Sequence, residues 1–132
     1  MSKVKGKGAG TRTRARELMV QALYQKQIAG HSTSELTSQF QEQVAYERVD
    51  QAYFDEQFKA ISNSQDELEK KVDELIDRPL EQLDPIELAI LLIGVYELES
   101  RVEIPYKVVI NEGVNLAKRF GSIEGHKYIN AC

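Results

Sequence analysis

Residues 83–98 read LDPIELAILLIGVYEL and form the most continuous apolar stretch of the chain. The stretch opens with signals of a helix start, because Asp84 is a capping residue, Pro85 suits the first helical position and Glu87 follows three residues after the cap. Nearly every later position to Leu98 is apolar, so the helix would be apolar on all sides. A bilayer span needs about 20 such residues, more than this stretch offers. The stretch therefore predicts a central core helix that other helices must coat.

The remaining chain predicts more helices and no strands. The whole chain holds 3 Pro and 8 Gly in 132 residues, and three of the glycines fall within residues 1–10. Residues 1–10 predict a flexible basic tail, and residues 11–132 predict a single helical domain. Apolar periodicity predicts further helices over residues 13–28, 34–46, 50–61, 65–77, 105–120 and a short one from residue 122. The expected fold class is all-α, with about seven helices around the central one.

Local signals refine these helices. Gly30 predicts the end of the first helix, and Ser64 with Glu67 predicts a capping box. Gly94 lowers helix propensity inside the central helix, which predicts a close crossing by another helix, with Gly113 as the candidate partner.

Charge is distributed unevenly, although the net charge is only −4. Residues 1–30 carry seven basic side chains and one acidic one, whereas residues 31–104 carry 6 basic and 18 acidic side chains. Residues 105–132 carry four basic and two acidic side chains. This split predicts a basic surface for a polyanion and an acidic surface that faces solvent or a basic partner.

The basic surface is densest at Arg12, Arg14 and Arg16, at the start of the first predicted helix. Basic side chains there oppose the helix dipole, which favours acids at an N-terminus. A local preference broken three times in five residues indicates a use elsewhere, such as holding phosphates. The alternative is a solvated basic helix end.

No pattern of residues indicates catalysis. Cys132 is the only cysteine, and His31 and His126 lack the spacing of metal ligands. No Gly-rich phosphate loop, secretory signal or membrane segment is present in the sequence. The sequence thus predicts a cytoplasmic protein that is not an enzyme and needs no cofactor or metal.

Three blocks of sequence together resemble a known family. They are RTRARELMVQALYQ at residues 12–25, the central stretch, and IPYKVVINEGVNLAKRFGS followed by HKYIN between residues 104 and 130. In this order and spacing they resemble the bacterial transcription antitermination factor NusB family. The resemblance implies a seven-helix fold that binds the boxA segment of nascent ribosomal RNA transcripts. It also implies a heterodimer with NusE, a small-subunit ribosomal protein, and assembly with NusA, NusG and RNA polymerase. A homodimer that buries the RNA surface is conceivable in this family.

The resemblance implies RNA contacts by Arg12, Arg14 and Arg16. Single-stranded RNA also calls for an exposed aromatic side chain, and Tyr128 beside Lys127 matches an aromatic position of the family. Alternatively, the ring of Tyr128 is buried and covers the end of the first helix. Lys118, with the neighbouring Arg119, extends the basic strip, although its charge also suits the C-terminus of its own helix.

The acidic middle is the expected surface for NusE. Glu87 resembles a partner-facing glutamate of the family, and it also completes the cap on Asp84. Glu81, in the preceding turn, is a second candidate whose alternative role is a solvated loop charge.

Two departures from the family pattern stand out. Leu92 occupies a position where relatives commonly have arginine, so one polar contact is expected to be missing. The sequence ends at Cys132, where relatives continue with another helical segment, so we expect a last helix with fewer apolar contacts. Two other readings remain: a protein-interaction module of acidic helices without RNA recognition, and the RNA-binding unit of a ribosomal RNA cytosine methyltransferase, for which the sequence has no methyltransferase pattern.

Overall fold

The computed structural model describes residues 9–121, in which all regular structure is helical. Six α-helices and two short 3-10 helices follow one another along this range. In chain order they are α1 (Ala9–Ala29), α2 (Thr33–Gln41), η1 (Val44–Arg48), α3 (Gln51–Asn63), α4 (Gln65–Leu75), η2 (Leu80–Gln82), α5 (Pro85–Ser100) and α6 (Tyr106–Phe120). The all-α prediction is confirmed. The short helix predicted from residue 122 lies outside the described residues.

The chain divides into two compact units, one up to Ser62 and one from Asn63 onward. In the first unit, α1 packs against α2 and η1. Its core is rich in aromatic rings: Phe54 stacks on Phe58 with 5.7 Å between ring centroids, and it meets Phe40 at 6.5 Å. In the second unit, α5 packs against both α4 and α6.

The central helix α5 begins as the sequence predicts. The Asp84 side chain accepts a hydrogen bond from Glu87 N at 2.8 Å, and the Glu87 side chain accepts one from Asp84 N at 3.3 Å. Buried residues occur on all sides of α5, which confirms its position in the core. They are Ala89, Ile90, Leu91, Leu92, Ile93, Val95 and Glu97. None of the described helices is both long and apolar enough to cross a membrane.

The prediction for the second helix is wrong at its C-terminal end. It was expected to reach residue 46, but α2 ends at Gln41 and η1 follows, with Val44 72% exposed. Tertiary contacts explain the break: the Tyr46 hydroxyl donates to Asp55 Oδ2 at 2.7 Å, and its ring meets Phe54 edge-on at 6.0 Å. Burial and the bond to Asp55 raise the pKa of Tyr46 to about 12.

The capping box predicted at Ser64 and Glu67 is also wrong. Ser64 makes no side-chain capping bond, because its backbone, at φ −112° and ψ 15°, is not extended. Helix α3 runs to Asn63 and α4 starts at Gln65, so Ser64 is the single residue that joins the two helices, and it does not adopt the extended conformation typical of a cap.

The two glycines with predicted roles differ in outcome. Gly30 adopts a φ of +71° after α1, which confirms it as the helix end. Gly94 is not explained by a close crossing, because a Cβ at this position would meet no atom of the described residues within 4 Å.

Candidate nucleic-acid interface

The basic surface predicted from the sequence begins on α1, which starts at Ala9, four residues earlier than expected. All three arginines, including Arg12, therefore lie within the helix, and its first turn contains no acidic residue. Arg12 and Arg16 are four residues apart and share a face, whereas Arg14 points to the other side. The helical geometry thus places Arg12 and Arg16 on one face of α1 and Arg14 on the opposite face.

Arg12 and Arg16 both contact the ring of Tyr53. The guanidinium carbon of Arg12 lies 4.8 Å from the ring centroid, and that of Arg16 lies 5.3 Å from it. A cation over an aromatic face is stabilised by the ring quadrupole, more strongly when water is excluded. Tyr53 is 2% exposed and Arg16 is 3% exposed, so Arg16 belongs to the interior of the first unit. The direct RNA contact expected of Arg16 does not fit this burial.

Asp50 links the start of α3 to the first turns of α1. Its Oδ1 accepts a hydrogen bond from Tyr53 N at 3.1 Å, its Oδ2 pairs with Arg12 Nε at 3.5 Å, and its own N donates to Thr11 O at 3.1 Å. The Arg12 side chain is still 37% exposed. Arg12 is thus held in place at its Nε while part of its guanidinium faces solvent.

Arg14 is exposed, and within the described residues it has no ion-pair partner. An exposed guanidinium of this kind can bind a phosphate through two parallel hydrogen bonds. Arg14 is therefore the arginine of the block most accessible to an anionic ligand.

The predicted basic residues of the second unit lie at the end of α6. Lys118 and Arg119 are exposed in its last turn, where positive charge suits the helix dipole, and Arg119 lies 5.7 Å from the centroid of Phe120. Lys127 and Tyr128 fall outside the described residues, so their predicted RNA contacts remain predictions.

The predicted partner residues Glu81 and Glu87 lie on either side of the Asp84 cap. Glu87 is half-buried, and its side chain accepts a hydrogen bond from Asp84 N, which confirms its role in the cap. Glu81 is exposed in η2 and lines an open groove of about 620 Å³. The groove is lined mainly by acidic side chains, with apolar ones at one end: Asp66, Glu69, Lys70, Asp73, Pro79, Leu80 and Glu81.

Sequence reasoning did not connect Asp50 or Tyr53 with the arginine block, and it missed the burial of Glu97. Asp50 directly precedes an apolar helical pattern, which is the sequence signal of a cap. Glu97 is 1% exposed within an otherwise apolar helix, and that context was the available sign of burial. No cluster of His, Cys, Asp and Glu within residues 9–121 is arranged to hold a metal ion.

The described residues thus define an all-helical protein with a basic first helix and an acidic middle. The sequence model of the NusB family matches residues 13–132, and the chain belongs to the NusB family. Curated relatives named transcription antitermination protein NusB include one from Marinobacter nauticus, 45% identical over 93% of this chain and 78% of its own length. The relative from Shewanella amazonensis is 44% identical over 90% of this chain and 89% of its own length.

A solved structure of T. maritima NusB has the same fold. It superposes with a TM-score of 0.80 and covers 90% of this chain and 84% of its own, at 21% sequence identity. The similarity extends to most of the helical architecture.

Proposed function

We propose that this protein is a cytoplasmic transcription antitermination factor that binds boxA-type single-stranded RNA of nascent ribosomal RNA transcripts. Relatives that are 43–45% identical over most of the chain bear the name transcription antitermination protein NusB, and this similarity is the main support. A regulatory role of this kind requires binding surfaces rather than a catalytic centre.

The RNA contact is assigned to the exposed part of the arginine block. Arg14 and the solvent-facing part of Arg12 hold phosphates, while Arg16 keeps Tyr53 and the helix start in place. Contacts to phosphates supply affinity and position, so the sequence preference for boxA must come from base contacts elsewhere. Lys118, Lys127 and Tyr128 are the further candidates for RNA contacts.

The protein partner proposed for the acidic middle is NusE, a basic ribosomal protein. The groove beside Glu81 carries three further carboxylates on α4 and offers apolar contacts at Pro79 and Leu80. Glu87 contributes its exposed edge while it caps α5. The resulting pair would join NusA and NusG on RNA polymerase.

Fluorescence anisotropy with labelled boxA RNA tests the proposal across a salt series, with NusE present. We expect tighter binding to boxA than to a scrambled RNA of equal length. Arg14→Gln should weaken binding and lower the salt slope by about 0.7, which is the contribution of one phosphate contact in a single strand. Lys59→Gln is the matched control, because Lys59 is an exposed lysine on α3 outside the arginine block. Equal affinity for boxA and scrambled RNA would contradict the proposal.

The second candidate is a protein-interaction module that works through its acidic groove without RNA. It predicts that NusE binds equally well with and without boxA RNA and that Arg14→Gln changes nothing. Light scattering on the same samples reports whether a homodimer forms and whether RNA dissociates it.

A further inference from the structure

The outer face of α6 carries a row of basic and amide side chains. Lys107, Asn111, Asn115 and Lys118 are spaced by four, four and three residues, so they follow one another along one side of the helix. All four are exposed, whereas the opposite side buries Val109, Leu116 and Ala117. We call these four residues the α6 strip. At 1.5 Å per residue it extends over roughly 16 Å.

The charged side chains of the α6 strip form no ion pairs with the described residues. Within residues 9–121, no carboxylate forms an ion pair with Lys107 or Lys118. Among the other basic residues of the second unit, Lys71 pairs with Glu99 and Arg101 pairs with Glu103 at 2.8 Å, whereas Lys70 forms no ion pair with the described residues. The two lysines of the strip thus leave their charge open to solvent.

Lys107 is also poorly placed for its own helix. It lies in the first turn of α6, which contains no acidic residue, and the positive end of the helix dipole repels it. Lys118, in the last turn, is well placed for the dipole. Helix stability therefore explains Lys118 but not Lys107.

We propose that the α6 strip is a second contact surface for RNA, which holds the sugar–phosphate backbone of the strand without reading its sequence. The inference rests on the proposed function, and it adds a binding surface to it. Lysine ammonium groups attract phosphates as point charges, and asparagine amides both donate to phosphate oxygens and accept from ribose 2′-hydroxyls. A row with a positive charge at each end and two amides between them offers groups for both the phosphates and the hydroxyls of the strand.

The composition of α6 favours a polyanion. Glu112 is the only acidic residue of this helix, and it is half-buried, so no fully exposed carboxylate on the helix repels a phosphate. The row itself contains no apolar side chain, and the exposed apolar residues of α6 (Tyr106, Val108 and Ile110) lie beside it.

The test compares the full chain with Lys107→Gln/Lys118→Gln, using boxA RNA alone and boxA RNA flanked on both sides by oligouridine. The wild type should bind the flanked RNA more tightly. The double variant should lose about tenfold in affinity for flanked RNA at physiological salt, and its salt slope should fall by about 1.4. Arg48→Gln/Lys59→Gln is the matched control, because it removes the same charge from exposed positions on η1 and α3.

A second variant separates amide contacts from charge. Asn111→Ala/Asn115→Ala should weaken binding of the flanked RNA without changing the salt slope, because no charge is removed. Circular dichroism melts should show no loss of stability in any variant, since every substituted side chain is exposed, and Asn111→Ala/Asn115→Ala should melt slightly higher because alanine is the better helix former.

Several outcomes would overturn the inference. One is that the lysine variant binds flanked RNA like its control. Another is that polyglutamate of equal charge displaces the oligouridine flanks as well as RNA does, which would indicate an acidic protein as the ligand. The proposed function is judged separately: a wild type that ignores boxA contradicts the function, yet a drop in sequence-independent RNA binding by the lysine variant would still support the strip.

Discussion

Helices α1 and α5 begin with opposite charge, and the structure uses these charges differently. The first turn of α5 contains Asp84 and Glu87 in reciprocal hydrogen bonds, so its acids stabilise the helix that forms the core. The first turn of α1 contains one charged residue, Arg12, which stands against the preference of the dipole, and Arg14 and Arg16 follow in the next turn. Asp84 and Glu87 have hydrogen-bond partners within the fold, whereas Arg14 has no ion-pair partner among the described residues. The RNA contact proposed above is therefore placed on α1 and not on α5.

The arginine block itself contains both kinds of residue, and this gives the largest expected effect. Arg16→Ala removes a buried guanidinium from the face of Tyr53 and leaves a cavity, so we expect the free energy of unfolding to fall by about 2–4 kcal/mol. Arg14→Ala removes an exposed side chain and should change it by less than about 0.5 kcal/mol. Urea unfolding followed by circular dichroism measures both. Equal losses would remove the distinction between the two arginines.

The next effect tests the acids at the start of α5. Asp84→Ala should cost about 1 kcal/mol of unfolding free energy, the usual value of an N-cap, and leave RNA binding unchanged. Glu87→Gln keeps an acceptor for Asp84 N and removes only the charge, so stability should be nearly constant. Reduced NusE affinity in Glu87→Gln at constant stability would assign Glu87 a second role beside the cap. An affinity equal to that of the wild type would confine it to the cap.

Asp50 both stabilises a helix start and binds a residue of the arginine block, because it caps α3 and pairs with Arg12. Asp50→Asn retains a good capping side chain and removes the charge that competes with phosphate for Arg12. We expect a severalfold gain in RNA affinity, worth about 0.5–1 kcal/mol, with a similar or smaller loss of stability. The affinity is measured by anisotropy at two salt concentrations. A loss of affinity would mean instead that Asp50 positions Arg12 for binding.

The sequence predicted the helices well wherever local signals and burial agree. The cap at Asp84 and the apolar faces of α5 were correct because propensity, capping and periodicity all favour the same helix. The end of α2 and the cap at Ser64 were wrong because tertiary packing decided them: Tyr46 reaches Asp55, and α3 extends to the residue before Ser64. Such contacts join residues distant in sequence or depend on where a neighbouring helix stops, and periodicity does not report either.

The candidate site was predictable as a charged segment but not residue by residue. Composition and the dipole argument located the arginine block, yet they treated its three members alike. Only the start of α1 at Ala9 and the position of Tyr53 separate buried Arg16 from exposed Arg14. Which side of a helix is buried follows from its neighbours when a segment has few apolar residues to mark the face.

The smallest effect compares glycines at the end of α1 and inside α5. Gly94→Ala should raise the free energy of unfolding by about 0.5–1 kcal/mol, because alanine is the better helix former and its Cβ has space among the described residues. Gly30→Ala is the contrasting variant, since its φ of +71° strains any residue with a Cβ, and it should cost about 1 kcal/mol. Thermal and urea unfolding of both variants provide the comparison. Destabilisation by Gly94→Ala would restore the close crossing that the sequence suggested, and would mean that α5 needs its glycine for packing as α1 needs Gly30 for its turn.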